Sequence, residues 1–309
     1  MSQLPVRLFP HNEFKYSSFG VHAGVSSLLC NGLRLGIKKT VGKITQPINI
    51  YSRFPEYYWF DAAIRNYLLT VPAGRRPKVL DVGSPKMFGL YLAKRLGLEV
   101  TLTDISELNV DEYQVIWRGL ERKAKGKAVF SLQDARSLQF SDGEFDIVYS
   151  MSVVEHIEGE AGDSQAIREL FRVLKPGGLL VLSVPFGSRY VEQKRIGFAG
   201  AVRKMDDQHT YFFQRIYDQP AFEQRILQPA HELDQVNLTT VRRKHRWMSR
   251  SFALLGENVR GVLGFVNPLL SAAMNRSTDG MDSAFPVDYG DVHTARDVYG
   301  DLIMSGRKK

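Results

Sequence analysis

The sequence contains little cysteine and no visible signal for export or membrane insertion. With Cys30 as its one cysteine, the chain can form neither an internal disulfide bond nor a zinc cluster built from cysteines. It also lacks the His-Glu-x-x-His spacing of many zinc enzymes, so we expect no metal site. The first residues lack the charged-then-apolar layout of a secretory signal, and no apolar run is long enough to span a bilayer. These absences favour a cytoplasmic protein.

The composition is that of a globular protein with a surplus of basic residues. Of 309 residues, 44% are hydrophobic and 24% are charged, which is enough apolar material for a full core. This length suits one large α/β domain with additions, or two domains. The formal net charge of +8 indicates either an anionic partner, such as a phosphate, a nucleic acid or a membrane surface, or simply a basic surface.

Strand and helix signals alternate between residues 77 and 185. Short apolar runs predict buried strands at 78–82, 100–103, 128–132, 145–149 and 179–184. Apolar residues at 167, 170, 171 and 174 mark one face of a helix that the sequence Lys-Pro-Gly-Gly at 175–178 should stop. This alternation predicts a parallel sheet with right-handed crossovers, in which a ligand binds beyond the carboxyl ends of the strands.

The residues that follow these strands are therefore the candidate ligand contacts. They are Gly83 and Ser84, Asp104 and Ile105, Asp134 and Ala135, and Ser150, after the first, second, third and fourth strands respectively. An aspartate after a strand is often only a turn residue or a helix cap. Two aspartates at successive strand ends favour a binding site instead.

Five segments occur in an order that resembles a known family. They are VLDVGSPKMFGLYLA, TLTDIS, LQDARSL, FDIVYSMSVVEHIEG and LFRVLKPGGLLVLSVPFG. Together they resemble the motifs of the class I S-adenosylmethionine (SAM)-dependent methyltransferases over residues 77–187. The resemblance implies a doubly wound, mostly parallel, seven-stranded Rossmann-like sheet at 77–309, with SAM as cofactor. We also expect an N-terminal extension with lid helices at 1–76 and a helical insert at about 248–295. The aromatic patch at 57–60 either closes over SAM as part of this lid or packs in the core.

The resemblance implies a role for each candidate contact. Asp104 would accept hydrogen bonds from the ribose hydroxyls of SAM, and Asp134 would accept one from the adenine amino group. Gly83 would let the backbone approach the methionine tail without a Cβ clash. Asp81 would hold the loop or lie near the ammonium of the methionine tail. The carbonyl of Ser150 would accept a hydrogen bond from that ammonium. Ser84, Ile105 and Ala135 complete the expected cofactor site.

The first loop departs from the family pattern, which is acid-x-Gly-x-Gly-x-Gly. Only Gly83 remains, because Pro85 and Met87 occupy the later glycine positions. An NAD(P)-dependent oxidoreductase is one alternative. Its dinucleotide has a pyrophosphate that the glycine-rich loop must admit, whereas SAM has no phosphate, so the missing glycines count more against NAD(P) than against SAM. A catalytically inactive SAM-binding protein is another. The segment after the fourth strand has no Asn-Pro-Pro-Tyr-like tetrapeptide, so we expect a small-molecule or lipid-like acceptor and no nucleic acid.

Three residues are candidates on the acceptor side of the site. His156 follows the fourth strand and is either a general base or a histidine that only packs. His209 and Tyr211 either line the acceptor pocket or belong to a surface loop. The apolar stretch at 251–276 predicts a helical cap over that pocket, with peripheral membrane contact as the alternative.

Overall fold

The computed structural model describes residues 50–196, 206–207, 209–242 and 300–309, which form five α-helices and nine strands. The helices are α1 (Ile50–Leu68), α2 (Lys86–Tyr91) with a π-helical continuation (Leu92–Leu96), α3 (Glu107–Leu120), α4 (Gly162–Val173) and α5 (Gln219–Phe222). The strands are β1 (Lys78–Val82), β2 (Glu99–Asp104), β3 (Lys127–Leu132), β4 (Phe145–Met151), β5 (Leu174–Phe186), β6 (Val191–Ile196), β7 (Thr210–Ile216), β8 (Leu233–Arg242) and β9 (Gly300–Lys308).

Seven of these strands form one sheet in the order β3-β2-β1-β4-β5-β9-β8. The pairs from β3 to β5 are parallel, and β9 runs antiparallel to both of its neighbours. The predicted mostly parallel, seven-stranded sheet is therefore confirmed. The predicted helical insert at about 248–295 lies outside the described residues.

Alternating side chains of each central strand bury into two separate cores, one on each face of the sheet. Val79 of β1 belongs to the core formed with α1, α2 and α3, whereas Leu80 belongs to the core formed with α4 and α5. Successive residues of a strand point to opposite faces, so a strand covered on both faces needs a continuous apolar run. This explains why the central strands show apolar runs rather than an alternating pattern, and it makes the sheet doubly wound.

Helix α4 ends where the sequence predicts, but the following strand begins earlier than expected. Residues 166, 167, 170, 171 and 173 bury the apolar face of α4. β5 starts at Leu174, directly after the helix, and includes the Lys-Pro-Gly-Gly segment. At Gly178 a Cβ atom would lie 2.7 Å from Cδ1 of Leu174 and 3.0 Å from the carbonyl oxygen of Asp146. Glycine is needed here because β4 and β5 approach closely at an irregularity in their register.

The aromatic patch at 57–60 belongs to the core. Tyr57 stacks on Phe88 of α2 with ring centroids 5.6 Å apart, and Phe60 is fully buried with its edge towards Phe88 and Tyr149. Such offset and edge contacts are the favoured geometries of aromatic pairs. They attach α1 firmly to α2 and β4. The role of α1 as a lid stays a prediction.

Candidate functional site

The loop between β1 and α2 is built around the buried carboxylate of Asp81. Its Oδ1 accepts hydrogen bonds from the Ser84 backbone amide at 2.9 Å and from Lys86 Nζ at 3.2 Å, and its Oδ2 accepts one from the Tyr149 hydroxyl at 2.7 Å. Both oxygens are thus engaged by the chain itself. Of the two roles expected for Asp81, the geometry matches holding the loop.

Gly83 and Ser84 carry this loop across the end of β4. Gly83 has a φ of 71°, and a Cβ atom there would lie 2.6 Å from Cγ1 of Val153. The Oγ of Ser84 accepts a hydrogen bond of 2.9 Å from the amide of Met151. Glycine is needed at 83 because the left-handed conformation and the close side chain both oppose a Cβ atom.

Ser150 lies inside β4 rather than after it. The strand continues to Met151 because Ser150 and Met151 pair with Leu182 and Ser183 of β5. The hydroxyl of Ser150 is buried and donates to the carbonyl of Val82 at 3.0 Å. Ser150 therefore fastens β4 to the end of β1, and contact of its carbonyl with a ligand stays a prediction.

Asp104 ends β2 beside an open apolar side chain. Its Oδ1 accepts from the Ser106 amide at 3.0 Å, and its Oδ2 lies 3.4 Å from Nδ2 of Asn109. The side chain of Asp104 is 14% exposed, whereas the next residue, Ile105, is 52% exposed. A carboxylate next to an exposed apolar surface provides an acceptor for hydroxyl groups and a face for a flat ring.

Asp134 forms a local ion pair with Arg136. Both carboxylate oxygens accept hydrogen bonds from the guanidinium, with Nη2 of Arg136 2.6 Å from Oδ2. These bonds hold the pKa of the Asp134 carboxyl below its ordinary value. The neighbouring Ala135 packs against the core that contains α4. An adenine amino group would therefore share Asp134 with Arg136, a partner that the motif comparison did not suggest.

Lys86 lies within the candidate site, and sequence analysis did not identify it. Its side chain is 2% exposed, and Nζ donates to the Ser84 carbonyl at 2.7 Å besides contacting Asp81. The same nitrogen lies 3.5 Å from Oδ2 of Asp104. A lysine inside the altered glycine loop, between two predicted acidic positions, was the available signal.

Glu56 of α1 was also missed, and it lies over the carboxyl ends of β4 and β5. Its buried carboxylate accepts hydrogen bonds from the hydroxyls of Ser152 and Ser183, each at 2.7 Å. Ser152 has a φ of 50°, an uncommon value for a residue with a side chain. No local pattern around Glu56 indicates this contact, because its partners lie 96 and 127 residues away in the sequence.

His156 connects the end of β4 to the separate hairpin formed by β6 and β7. Its Nδ1 is bonded to the carbonyl oxygen of Phe213, so Nδ1 carries the proton and Nε2 of the neutral ring has a lone pair. Nε2 lies 3.6 Å from Oε1 of Glu155. This arrangement suits a residue that accepts a proton and becomes an imidazolium beside a carboxylate.

Within the hairpin, Phe213 is bonded to His156. Tyr211 is half-buried in β7, two positions before Phe213, and a bulge at Phe213 interrupts the alternation of faces between them. His209 is exposed in the turn before β7, with a φ of 57°. The buried Arg215 anchors β7 by donating to the carbonyl of Ile157 at 2.6 Å. Contact of Tyr211 or His209 with an acceptor stays a prediction.

The central part of the chain matches a family model. Residues 80–182, which run from β1 into β5, match the model described as a methyltransferase domain. The match covers about a third of the chain and supports the predicted resemblance to the class I SAM-dependent methyltransferases. The matched segment contains Asp81, Asp104, Asp134 and His156.

Several curated methyltransferases resemble this domain over part of their length. The chain is 32% identical to a sterol 24-C-methyltransferase of Gibberella zeae over 158 residues, which are 47% of this chain and 40% of that protein. It is 37% identical to 2-methyl-6-phytyl-1,4-hydroquinone methyltransferase of Synechocystis over 120 residues, which are 37% of this chain and 33% of that protein. The chain spans less than half the length of these curated relatives.

Solved structures also resemble the methyltransferase domain. One is a SAM-dependent methyltransferase from Methanosarcina mazei, with a TM-score of 0.47 and 21% identity, covering 79% of this chain and 96% of that one. Another is phosphoethanolamine N-methyltransferase 2 of Haemonchus contortus in complex with SAM, with a TM-score of 0.45 and 15% identity, covering 80% of this chain and 52% of that one.

The residues of the matched segment fit SAM, the cofactor of the family that the segment resembles. Asp104 keeps part of its carboxylate open to solvent, and Ile105 beside it presents an uncovered apolar face. In the described part of the chain, no group of three or more histidine, cysteine, aspartate or glutamate residues is arranged to hold a metal ion. None of the described helices is both long and apolar enough to cross a membrane.

Proposed function

We propose that the chain binds SAM at the carboxyl ends of β1, β2 and β3 and transfers its methyl group to a small-molecule or lipid-like acceptor. The main support is the partly exposed carboxylate of Asp104 beside the exposed side chain of Ile105. Both residues lie at the end of β2, inside the segment that matches the family model. In parallel α/β sheets, ligands bind at this edge. The relatives named for sterol and phytyl-hydroquinone substrates support a lipid-like acceptor.

In this proposal the side chains bind and orient the donor rather than activate it. SAM supplies a methyl group that its sulfonium already activates. Asp104 would accept hydrogen bonds from the ribose hydroxyls, and Ile105 would pack against the adenine. Asp134 would accept a hydrogen bond from the adenine amino group in competition with Arg136. Gly83 lets the loop run close to the methionine tail. The contribution of these residues to rate is the alignment of donor and acceptor and the exclusion of water.

Methyl transfer to a hydroxyl or amine also requires removal of a proton from the acceptor, and we assign this role to His156. Its Nδ1 donates to the Phe213 carbonyl, which fixes the tautomer in which Nε2 carries the lone pair, and Nε2 would take a proton from an acceptor hydroxyl or amine. The carboxylate of Glu155, 3.6 Å from Nε2, stabilises the imidazolium that results. We expect an oxygen or nitrogen acceptor atom on this basis, with Tyr211 of β7 lining the pocket and His209 at its outer end.

Two measurements test the proposal. Calorimetry should show binding of SAM and of S-adenosylhomocysteine and none of NAD. A mixture of sterols, quinols and phenolic lipids incubated with the chain and methyl-labelled SAM should then yield a labelled product, and its fragmentation identifies the methylated atom. Binding of NAD without SAM would refute the proposal. A chain that binds SAM but labels no acceptor of any class would instead be a non-catalytic SAM-binding protein.

A further inference from the structure

The ammonium of Lys86 lies between two carboxylates that have different tasks. Asp81 is fully buried and holds the loop, whereas Asp104 is partly open at the edge where the donor is proposed to bind. Lys86 Nζ contacts both, at 3.2 Å and 3.5 Å respectively. Its shortest contact, 2.7 Å, is to the carbonyl of Ser84.

These contacts differ in how easily they can be given up. Leaving Asp81 would deprive a fully buried carboxylate of its counter-ion, which is strongly unfavourable. Leaving Asp104 would cost much less, because that carboxylate is in contact with solvent and also accepts from Ser106 and Asn109. The Lys86 ammonium can therefore release Asp104 while it stays on Asp81 and Ser84.

We propose that Lys86 is an internal competitor for Asp104 and thereby determines the affinity of the donor site. This inference rests on the proposed function, since Asp104 is the acceptor assigned to the ribose hydroxyls. A ribose that binds Oδ2 of Asp104 replaces the contact with Lys86. The binding free energy is therefore less favourable by the energy of that contact. Asp81 opposes this competition, because it holds the ammonium at 3.2 Å from its own carboxylate.

The proposal predicts opposite effects for two variants that share the same change at position 81. In Asp81→Asn, Lys86 loses its buried counter-ion and shifts towards Asp104, so ribose binding weakens. In the double variant, which combines Asp81→Asn with Lys86→Met, the ammonium is gone and Asp104 is free for the ribose. We expect the double variant to bind about tenfold more tightly than Asp81→Asn alone, the change produced by one hydrogen bond of ordinary strength.

Calorimetry with adenosine and with S-adenosylhomocysteine tests this order. Adenosine has no charge, so its response reports competition for Asp104 and not repulsion between the ammonium and a charged ligand. Lys94→Met is the matched control, because Lys94 is also buried on the same helical segment but donates to the Leu120 carbonyl. This control should leave both dissociation constants unchanged.

A second variant keeps the test decisive if Asp81→Asn fails to fold. Lys86→Gln retains a neutral donor for Ser84 and Asp81 but cannot form an ion pair with Asp104, so it should bind adenosine more tightly than the unchanged chain. Equal or weaker binding after loss of the Lys86 ammonium would overturn the inference and leave the proposed function standing. If neither the unchanged chain nor any Lys86 variant binds either ligand, the proposed donor site itself is wrong and the inference falls with it.

Discussion

The hydroxyl of Tyr149 donates a hydrogen bond of 2.7 Å to Oδ2 of Asp81, and both side chains are fully buried. Tyr149 is also part of the aromatic cluster around Phe88, with ring centroids 5.6 Å apart. The tyrosine thus links the loop carboxylate to the core between α1, α2 and β4. The conformation of the loop between β1 and α2 therefore depends on side-chain packing in this buried core.

Replacing Tyr149 with Phe should lower stability. The substitution keeps the ring but removes a hydrogen bond to a buried charged group, which costs about 1.5–3 kcal/mol. Tyr190→Phe is the control, since its hydroxyl bonds to Glu192 at the surface and its loss should cost no more than about 0.5 kcal/mol. Urea unfolding gives the free energy of unfolding of both variants. Equal decreases would mean that the bond to Asp81 stabilises the chain no more than a surface hydrogen bond does.

Replacing Asp104 with Ala should weaken SAM binding without unfolding the chain. The ribose loses a charged acceptor, which corresponds to about 1.5–3 kcal/mol of binding free energy. Asp111→Ala removes an exposed carboxylate from α3 and should leave the affinity unchanged. Calorimetry on the two variants decides the matter, because an unaltered affinity in a folded Asp104→Ala chain would exclude the ribose contact.

Replacing His156 with Gln should slow methyl transfer far more than it weakens SAM binding. Glutamine can still donate to the Phe213 carbonyl but cannot take a proton, so a loss of roughly 10²–10⁴-fold in rate is expected for a general base. The exposed His231 provides the control substitution. A rate close to that of the unchanged chain, with the melting temperature preserved, would leave His156 with a packing role only.

Replacing Gly83 with Ala should destabilise the chain more than the same change at Gly74. Both glycines have positive φ values, 71° and 86°, so both substitutions impose backbone strain of roughly 1–2 kcal/mol. Only at Gly83 would the new Cβ meet a neighbour, Cγ1 of Val153 at 2.6 Å, whereas nothing lies within 4 Å at Gly74. Thermal unfolding of the two variants isolates the steric part, and equal melting temperatures would show that Val153 moves aside without cost.

The local sequence was enough to predict the five central strands and the residues at their carboxyl ends. Buried central strands require continuous apolar runs. The residues that follow such runs lie at the carboxyl ends of the strands, independently of how the other elements pack. For this reason Gly83, Asp104 and Asp134 could be proposed from their positions alone. The extension of β4 to Met151 was not predicted, because it depends on pairing with β5 rather than on local apolar character.

Only the tertiary structure decided which side chains meet at that edge. Glu56 reaches Ser183 across 127 residues, and His156 reaches Phe213 across 57. Even Lys86, which is close to Asp81 in sequence, reaches Asp104 only because β1 and β2 are adjacent in the sheet. The apolar periodicity of a segment is a local property of the sequence, whereas these contacts depend on how separate elements pack. It is this packing that places the ammonium of Lys86, in the altered glycine loop, beside Asp104.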